Sequence, residues 1–287
     1  MNVVVFGGYG YIGGHLINEL VNRSFFVKNL DSRITAKEWK FESSKYLSHI
    51  QASTTNKDAV KRALHKSNVV YFLADRTDNV TNVTHTSKIL SNNYDGLLNV
   101  LTCCVDMGLD NFVYISSAEI YGSLLEGTPH DTCIPHTLNG YSKYISETLL
   151  RYFSSIMSMK ILRLSEVWGK EFGYSYVDRF SRGNSPIEND GSQTRDFLFI
   201  EDAVTALISS RSWDDGIYNV GTGIETSISG IWKLLNQERA IPYSIRQVHD
   251  EIYRQVIDCN ETILRTGWKP KTLLHELDES QVKELCK

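Results

Sequence analysis

The 287-residue sequence predicts an α/β fold, a doubly wound parallel sheet with a smaller C-terminal lobe. Three observations predict it. Short apolar runs alternate with longer helical patterns over residues 1–168, the signature of βαβ units. A glycine cluster, Gly7-Gly8-Tyr9-Gly10-Tyr11-Ile12-Gly13, lies between the first run and the first helical pattern. After residue 168 the alternation gives way to dense Gly, Ser, Asn and Asp, then to short elements. The expected organisation is therefore a sheet domain over 1–168 and a lobe over 169–287, some of whose segments return to the first domain.

The elements follow in order. Val3–Phe6 is an apolar strand ending in glycines, and Tyr11–Arg23 is helical, with Ile12, Leu16 and Leu20 on one face. Phe25–Leu30 is the second strand. Val69–Leu73 and Phe112–Ser116 are two more, separated by the helix Leu90–Met107, which Gly108 closes. Tyr141–Ser158 is a helix with Ile145, Leu149, Phe153 and Ile156 on one side, and Met159–Ser165 is a strand. The lobe carries short strands and helices at Arg195–Ile200, Glu201–Ser210, Ile217–Val220 and Ser227–Leu235.

Composition narrows the function classes. Apolar residues at 41% and charged residues at 22% exclude a disordered, collagenous or coiled-coil chain. A net charge of -4 argues against a nucleic-acid partner, whose phosphates call for a basic surface. No apolar run approaches the roughly 20 residues of a membrane helix. The N-terminus reads as a strand rather than a signal peptide. Five cysteines, an odd number with no C-x-x-C, fit a reducing compartment, so a cytoplasmic location is expected. Eight histidines without ligand spacing predict no metal site.

The glycines at 7, 10 and 13 open a helix directly after a strand. Glycine lets the backbone turn tightly and approach a pyrophosphate, and the helix start offers unpaired N–H groups. Asp31 ends the second strand, 21 residues after Gly10, where a Rossmann-type dinucleotide fold places the acid for the adenosine ribose. A carboxylate there favours NAD over NADP, although Arg33 is close by.

Further segments resemble, in the same order, those of the extended short-chain dehydrogenases/reductases of the nucleotide-sugar epimerase/dehydratase family. Phe72-Leu73-Ala74-Asp75 is similar to its H-L-A-A strand end, and Tyr114–Gly122 to its S-S-x-x-V-Y-G strand. Tyr141-Ser142-Lys143 resembles the end of Y-G-x-S-K, and Arg163–Gly169 resembles R-x-x-N-V-Y-G. Asp190–Phe197, Tyr218–Gly223 and Gly267-Trp268-Lys269-Pro270 match later family segments.

The resemblance implies hydride exchange between NAD and a sugar carbon. A tyrosine serves as base, a lysine four residues on lowers its pKa and holds the nicotinamide ribose, and a Ser or Thr binds the same sugar hydroxyl. Cofactor contacts are implied for Gly7, Gly10, Tyr11, Ile12, Gly13, Asp31, Ser32, Leu73, Ala74 and Lys143, with Ser53 in place of an adenine-contacting aspartate. The resemblance also implies a homodimer built on the helices Leu90–Met107 and Tyr141–Ser158.

Carried over one at a time, the catalytic hydroxyl is Ser117 and the lysine is Lys143. The tyrosine position is Asn139, which has no titratable proton. Tyr141 is the nearest phenol, but it lies about 200° further round a helix. Glu119 stands where the dehydratase branch has a glutamate acting on the sugar, with Ala118 in place of the preceding aspartate. Glu166 replaces the asparagine of R-x-x-N and suits sugar hydroxyls better than a diphosphate. Arg195 and Arg254 are the candidates for clamping the substrate diphosphate. The expected function is epimerase- or dehydratase-type modification of a nucleotide sugar. A catalytically degenerate binding protein and a nucleotide-ketosugar reductase are the alternatives.

Overall fold

The computed structural model describes residues 1–33, 41, 44–75, 83–123, 127–170, 175–183, 185–187, 189–236, 242–243 and 252–287. In chain order the elements are β1 (Asn2–Phe6), α1 (Tyr11–Asn22), β2 (Phe26–Asp31), β3 (Leu47–Gln51), α2 (Lys57–Leu64), β4 (Val69–Phe72), α3 (Val83–Asp106) and β5 (Phe112–Ser117). A 3-10 turn (Ala118–Tyr121), α4 (Leu138–Phe153), β6 (Met159–Leu164), β7 (Glu166–Trp168), α5 (Tyr176–Ser181), β8 (Thr194–Arg195), β9 (Phe197–Phe199) and α6 (Ile200–Ser210) follow. The chain ends with β10 (Gly216–Val220), β11 (Thr226–Ser227), α7 (Ile228–Asn236), β12 (Arg254–Gln255), α8 (Asn260–Thr266) and α9 (Glu279–Leu285).

Two compact units result. The first comprises Met1–Ser116, Tyr141–Leu162 and Val204–Ile217, and the second Ser117–Gly140, Arg163–Ala203 and Tyr218–Lys287.

The first unit is organised by a seven-stranded parallel sheet of order β10-β6-β5-β4-β1-β2-β3. From β1 the chain winds outward through β2 and β3, then crosses to β4 on the other side of β1, with Val3 opposite both Val27 and Val69. That reversal is the switch point of a doubly wound fold, where ligands bind beyond the carboxyl ends of the strands. β4 and β6 are buried along their whole length, as expected of strands covered on both faces. On one face Phe72 stacks within about 6 Å of Phe6, Phe112 and Tyr114, and α2 and α3 seal the layer with Ala59, Val60, Leu64, Leu97, Val100 and Leu101.

Two elements carry little sequence signal. β3 is an edge strand with no buried residue, so it shows no apolar alternation. α2 has only eight residues and starts at Asn56, whose side chain accepts the Ala59 N–H at 3.0 Å. Two predicted helix starts need correction. α3 begins at Val83 rather than Leu90, and α4 at Leu138 rather than Tyr141. At α4, Thr137 Oγ1 accepts the Gly140 N–H at 3.0 Å, a cap that the poor helix formers Asn139 and Gly140 obscure in the sequence.

The second unit holds a three-stranded sheet β11-β8-β12 and the parallel pair β7-β9. Several of the family-like segments are structural here. Arg163 donates to the Tyr121 hydroxyl at 2.7 Å, Tyr121 donates to Asn219 Oδ1 at 2.7 Å, and Asn219 Nδ2 donates to the Gly127 and Asp258 carbonyls. The buried Asp196 carboxylate accepts the backbone N–H groups of Thr222 and Gly223. Among the described residues no helix is long and apolar enough to cross a membrane.

Candidate active site

In the first unit the glycine loop leaves β1 and starts α1. Gly7 has φ +88°, and a Cβ there would lie 2.7 Å from the Ala74 nitrogen and 2.8 Å from the Leu73 carbonyl carbon. A Cβ on Gly13 would lie 2.4 Å from the Gly7 oxygen. Larger residues would therefore push the loop off the end of β4. Gly10 precedes α1 in extended conformation, and the helix has neither a side-chain cap nor an acidic residue in its first turn. That leaves its positive end available to an anion.

Two buried side chains of β2 hold the loop. Asn29 Oδ1 accepts the Gly8 N–H at 3.1 Å, and Asp31 Oδ2 accepts the Tyr9 N–H at 3.0 Å. Asp31 also pairs with Arg33, whose Nε lies 3.1 Å from Oδ1. Tyr11 and Ile12, in the first turn of α1, and Leu73 and Ala74, beyond β4, are half-buried. Ser32 and Ser53 are at the surface, and the Ser53 hydroxyl is 2.8 Å from that of Thr55. Close glycine backbone, an open helix start and a carboxylate at the end of β2 together fit a dinucleotide.

Lys143, on α4, is buried. Its Nζ is 2.8 Å from Asp75 Oδ2, donates to the Ile115 carbonyl at 2.8 Å, and lies 5.1 Å from the Tyr114 ring centroid. Burial works against the ammonium, but the Asp75 carboxylate and Tyr114 outweigh it and hold the lysine pKa above its ordinary value. Burial pushes the Tyr114 phenol up to about 12.

In the second unit Ser117, Glu119 and Asn139 come together. Ser117 Oγ accepts the Glu119 N–H at 3.2 Å and so caps the 3-10 turn. The Glu119 carboxylate accepts the Thr137 hydroxyl on one oxygen and Asn139 Nδ2, at 2.8 Å, on the other. A Cβ on Gly140 would be 2.6 Å from the Glu119 carbonyl oxygen, so glycine permits this approach. Asn139 Oδ1 is buried with no hydrogen-bond partner among the described residues. Tyr141 is 51% exposed and stands about 200° from Asn139 around α4.

Glu166 and Arg195 also meet. Glu166 Oε2 lies 3.9 Å from Arg195 Nε, and Oε1 accepts the Tyr176 N–H at 2.9 Å. Burial raises the Glu166 pKa despite the arginine. Arg254 lies opposite Thr194 in the β8–β12 pairing and binds Glu225 at 3.0 Å. Its Nη1 is buried with no hydrogen-bond partner among the described residues.

Two residues of this constellation escape sequence reasoning. Thr137 was legible as a helix cap, had the start of α4 been placed correctly. Asp75 was legible as a charged residue closing an apolar strand. Among the described residues no three His, Cys, Asp or Glu side chains form a metal-binding group.

These features define a dinucleotide-binding α/β protein with a buried lysine and a carboxylate–amide pair among its polar clusters. The chain belongs to the NAD dependent epimerase/dehydratase family, whose profile matches residues 3–221. A Methanocaldococcus jannaschii protein named "Putative UDP-glucose 4-epimerase" is 28% identical over 96% of this chain and 95% of its own. The dTDP-4-dehydro-6-deoxyglucose reductase of Escherichia coli is 26% identical over 99% and 98%. Among solved structures, the UDP-glucose 4-epimerase of Thermotoga maritima with UDP-glucose shares the fold. Its TM-score is 0.87 at 23% identity, over 100% of this chain and 97% of its own.

Proposed function

We propose that this protein uses NAD to modify a nucleotide-activated sugar by epimerase- or dehydratase-type chemistry, with Glu119 as its acid–base group. One observation carries the reading. The residue at the family's tyrosine position, Asn139, is an amide that holds the Glu119 carboxylate from one side while Thr137 holds it from the other.

Gly7, Gly10 and Gly13 at the α1 start would take the pyrophosphate, Asp31 the adenosine ribose and Lys143 the nicotinamide ribose. Ser32, Ser53, Leu73 and Ala74 would complete the cofactor contacts. When bound, NAD would supply reversible hydride exchange with the sugar carbon. Ser117 binds the sugar hydroxyl. Glu119 takes and returns the proton. Arg195 and Arg254 bind the diphosphate, and Glu166 a sugar hydroxyl.

The protein is read as a cytoplasmic homodimer. Tyr141, Tyr144, Ile145, Tyr152 and Ile156, at or just beyond α4, are all more than a third exposed, which suits burial against a second copy.

A degenerate, binding-only protein is the second reading. Asp75 favours it, because the Lys143 ammonium already has a counter-charge and activates no phenol.

The experiment is to incubate the purified protein with NAD and a panel of nucleotide sugars, UDP-glucose first, following products by NMR and trapped NADH at 340 nm. A 4-keto sugar with NADH forms the arm that detects a reductase. Cofactor binding without turnover in any arm supports the degenerate reading, and absence of cofactor binding retires both.

A further inference from the structure

The carboxylate at the end of β4 has no part in the catalytic reading above. We infer that Asp75 is a positioning residue for Lys143, supplying from β4 the counter-charge that fixes the ammonium, so that this lysine needs no acid on its own helix.

The sequence makes the carboxylate conspicuous. β4 is wholly apolar and buried, and Leu73-Ala74 continue it before Asp75. A carboxylate there is costly unless paired. Its partner is equally buried: the two side chains are 9% and 8% exposed, with Nζ and Oδ2 2.8 Å apart. Ser142 Oγ lies 3.5 Å from Asp75 Oδ1 and accepts Asn93 Nδ2 at 3.0 Å, so α3 and α4 together set the carboxylate's position.

Among the described residues, the charged and titratable groups acting on Lys143 are Asp75 from the end of β4 and Tyr114 from β5. Glu147 of α4 acts on Tyr114, and its carboxylate accepts the Ser116 hydroxyl at 2.6 Å. Asp75 is the carboxylate in contact with the ammonium. A lysine without it would be a buried, unpaired cation and would lose its proton at lower pH.

A consequence follows for position 139, one helical turn before Lys143. An acid there would ordinarily be made stronger by the ammonium. With Asp75 in contact, the pair is close to neutral and that effect is cancelled.

The inference concerns the lysine that the proposed function gives to the cofactor, but its test uses neither cofactor nor turnover, so each can fail separately. Lys143 is followed by NMR in protein carrying 13Cε-lysine, its signal assigned by its loss in Lys143→Met. In the wild type it stays protonated beyond the ordinary lysine range of about 10.4. In Asp75→Asn it titrates at least one pH unit lower. Separately, Asn139→Tyr is labelled with 13Cζ-tyrosine and the new phenol signal is titrated. It titrates near or above the ordinary value of about 10 while Asp75 is present. It falls by at least one unit in Asn139→Tyr combined with Asp75→Asn. The inference is overturned if Asp75→Asn leaves the Lys143 titration in place, or if the phenol titrates alike with and without Asp75. Should Asp75→Asn not fold, Asp75→Leu with Lys143→Met, which removes both charges together, still folds. Failure of that double variant also overturns the inference.

Discussion

Asn139 donates its amide to Glu119 Oε1 at 2.8 Å, tying the first turn of α4 to the 3-10 turn that follows β5. Asn139→Asp would set two carboxylates in contact, and one of them would take up a proton at higher pH than an isolated acid. Above that raised value both are charged and repel; below it they share a proton and stability returns. The variant should lose about 1–3 kcal/mol at pH 8, the scale of a lost buried hydrogen bond. The deficit should shrink as pH falls toward 4. Thermal melts of both proteins across that range check this, and a deficit independent of pH would remove the contact from the argument.

Asp31 is the residue proposed to set the choice of dinucleotide. Its carboxylate is buried and already accepts the Tyr9 N–H, so it is fixed where it can receive ribose hydroxyls and repel a 2′-phosphate. NAD should bind more tightly than NADP, and Asp31→Ala should narrow the gap. Arg33 is held by Asp31 and would be released in that variant, adding a cation for the phosphate. Titration of both cofactors against both proteins gives the answer, and equal affinities in the wild type would count against the assignment.

Glu166 has a pH signature of opposite sign to an ordinary ion-paired acid. Burial, its largest influence, raises its folded-state pKa above the usual 4.5, although Arg195 pulls it down. Between those values the folded chain binds more protons than the unfolded one, so this residue's contribution to stability falls as pH rises. Glu166→Gln removes the effect while keeping an oxygen for the Tyr176 N–H. The variant should gain stability relative to the wild type at pH 8 and lose that advantage below pH 4. Calorimetry at the two pH values measures the difference.

Arg195 is the proposed diphosphate ligand. Its guanidinium is buried, and a bound diphosphate would compete with Glu166 for it. Arg195→Ala should weaken binding of a nucleoside diphosphate by roughly 1.5–3 kcal/mol, the worth of a hydrogen bond to a charged group. NAD affinity should be nearly unchanged, because the proposed cofactor residues belong to the other compact unit. Unaltered diphosphate affinity, measured by calorimetric titration, would retire the role.

The parts legible in the sequence were those with strong periodicity or special backbone. β1, α1 and the glycine loop combine an apolar run, helical spacing and glycines that sterics require. The edge strand β3 and the short α2 lacked that signal because little of β3 is buried and α2 depends on the Asn56 cap. At the site, Ser117, Glu119, Asn139 and Lys143 were picked out by the resemblance to the family's motifs, residue by residue. It did not reveal that Asn139 holds Glu119, or that Asp75 neutralises Lys143, because both pairs join residues 20 or more positions apart. Such contacts are made by the fold rather than by any local pattern.

Glu119 is the proposed proton-transfer group. Asn139 has no proton to exchange, and Tyr141 is half-exposed on another side of α4. Glu119 remains, one oxygen accepting from Thr137 and the other from Asn139. If the wild type turns over a nucleotide sugar, Glu119→Gln should lower kcat by about 10²–10⁴-fold, the usual worth of a general acid–base group. KM should change little, since the amide keeps the shape and can still accept from Thr137. Tyr141→Phe should retain activity. Asn139→Ala should fall between the two, because it leaves Glu119 ionisable but removes one of its two donors. Turnover that survives Glu119→Gln and is lost in Tyr141→Phe would transfer the role to the phenol. A rate raised by Asn139→Tyr alone would instead show that the site still operates through the family's usual tyrosine position.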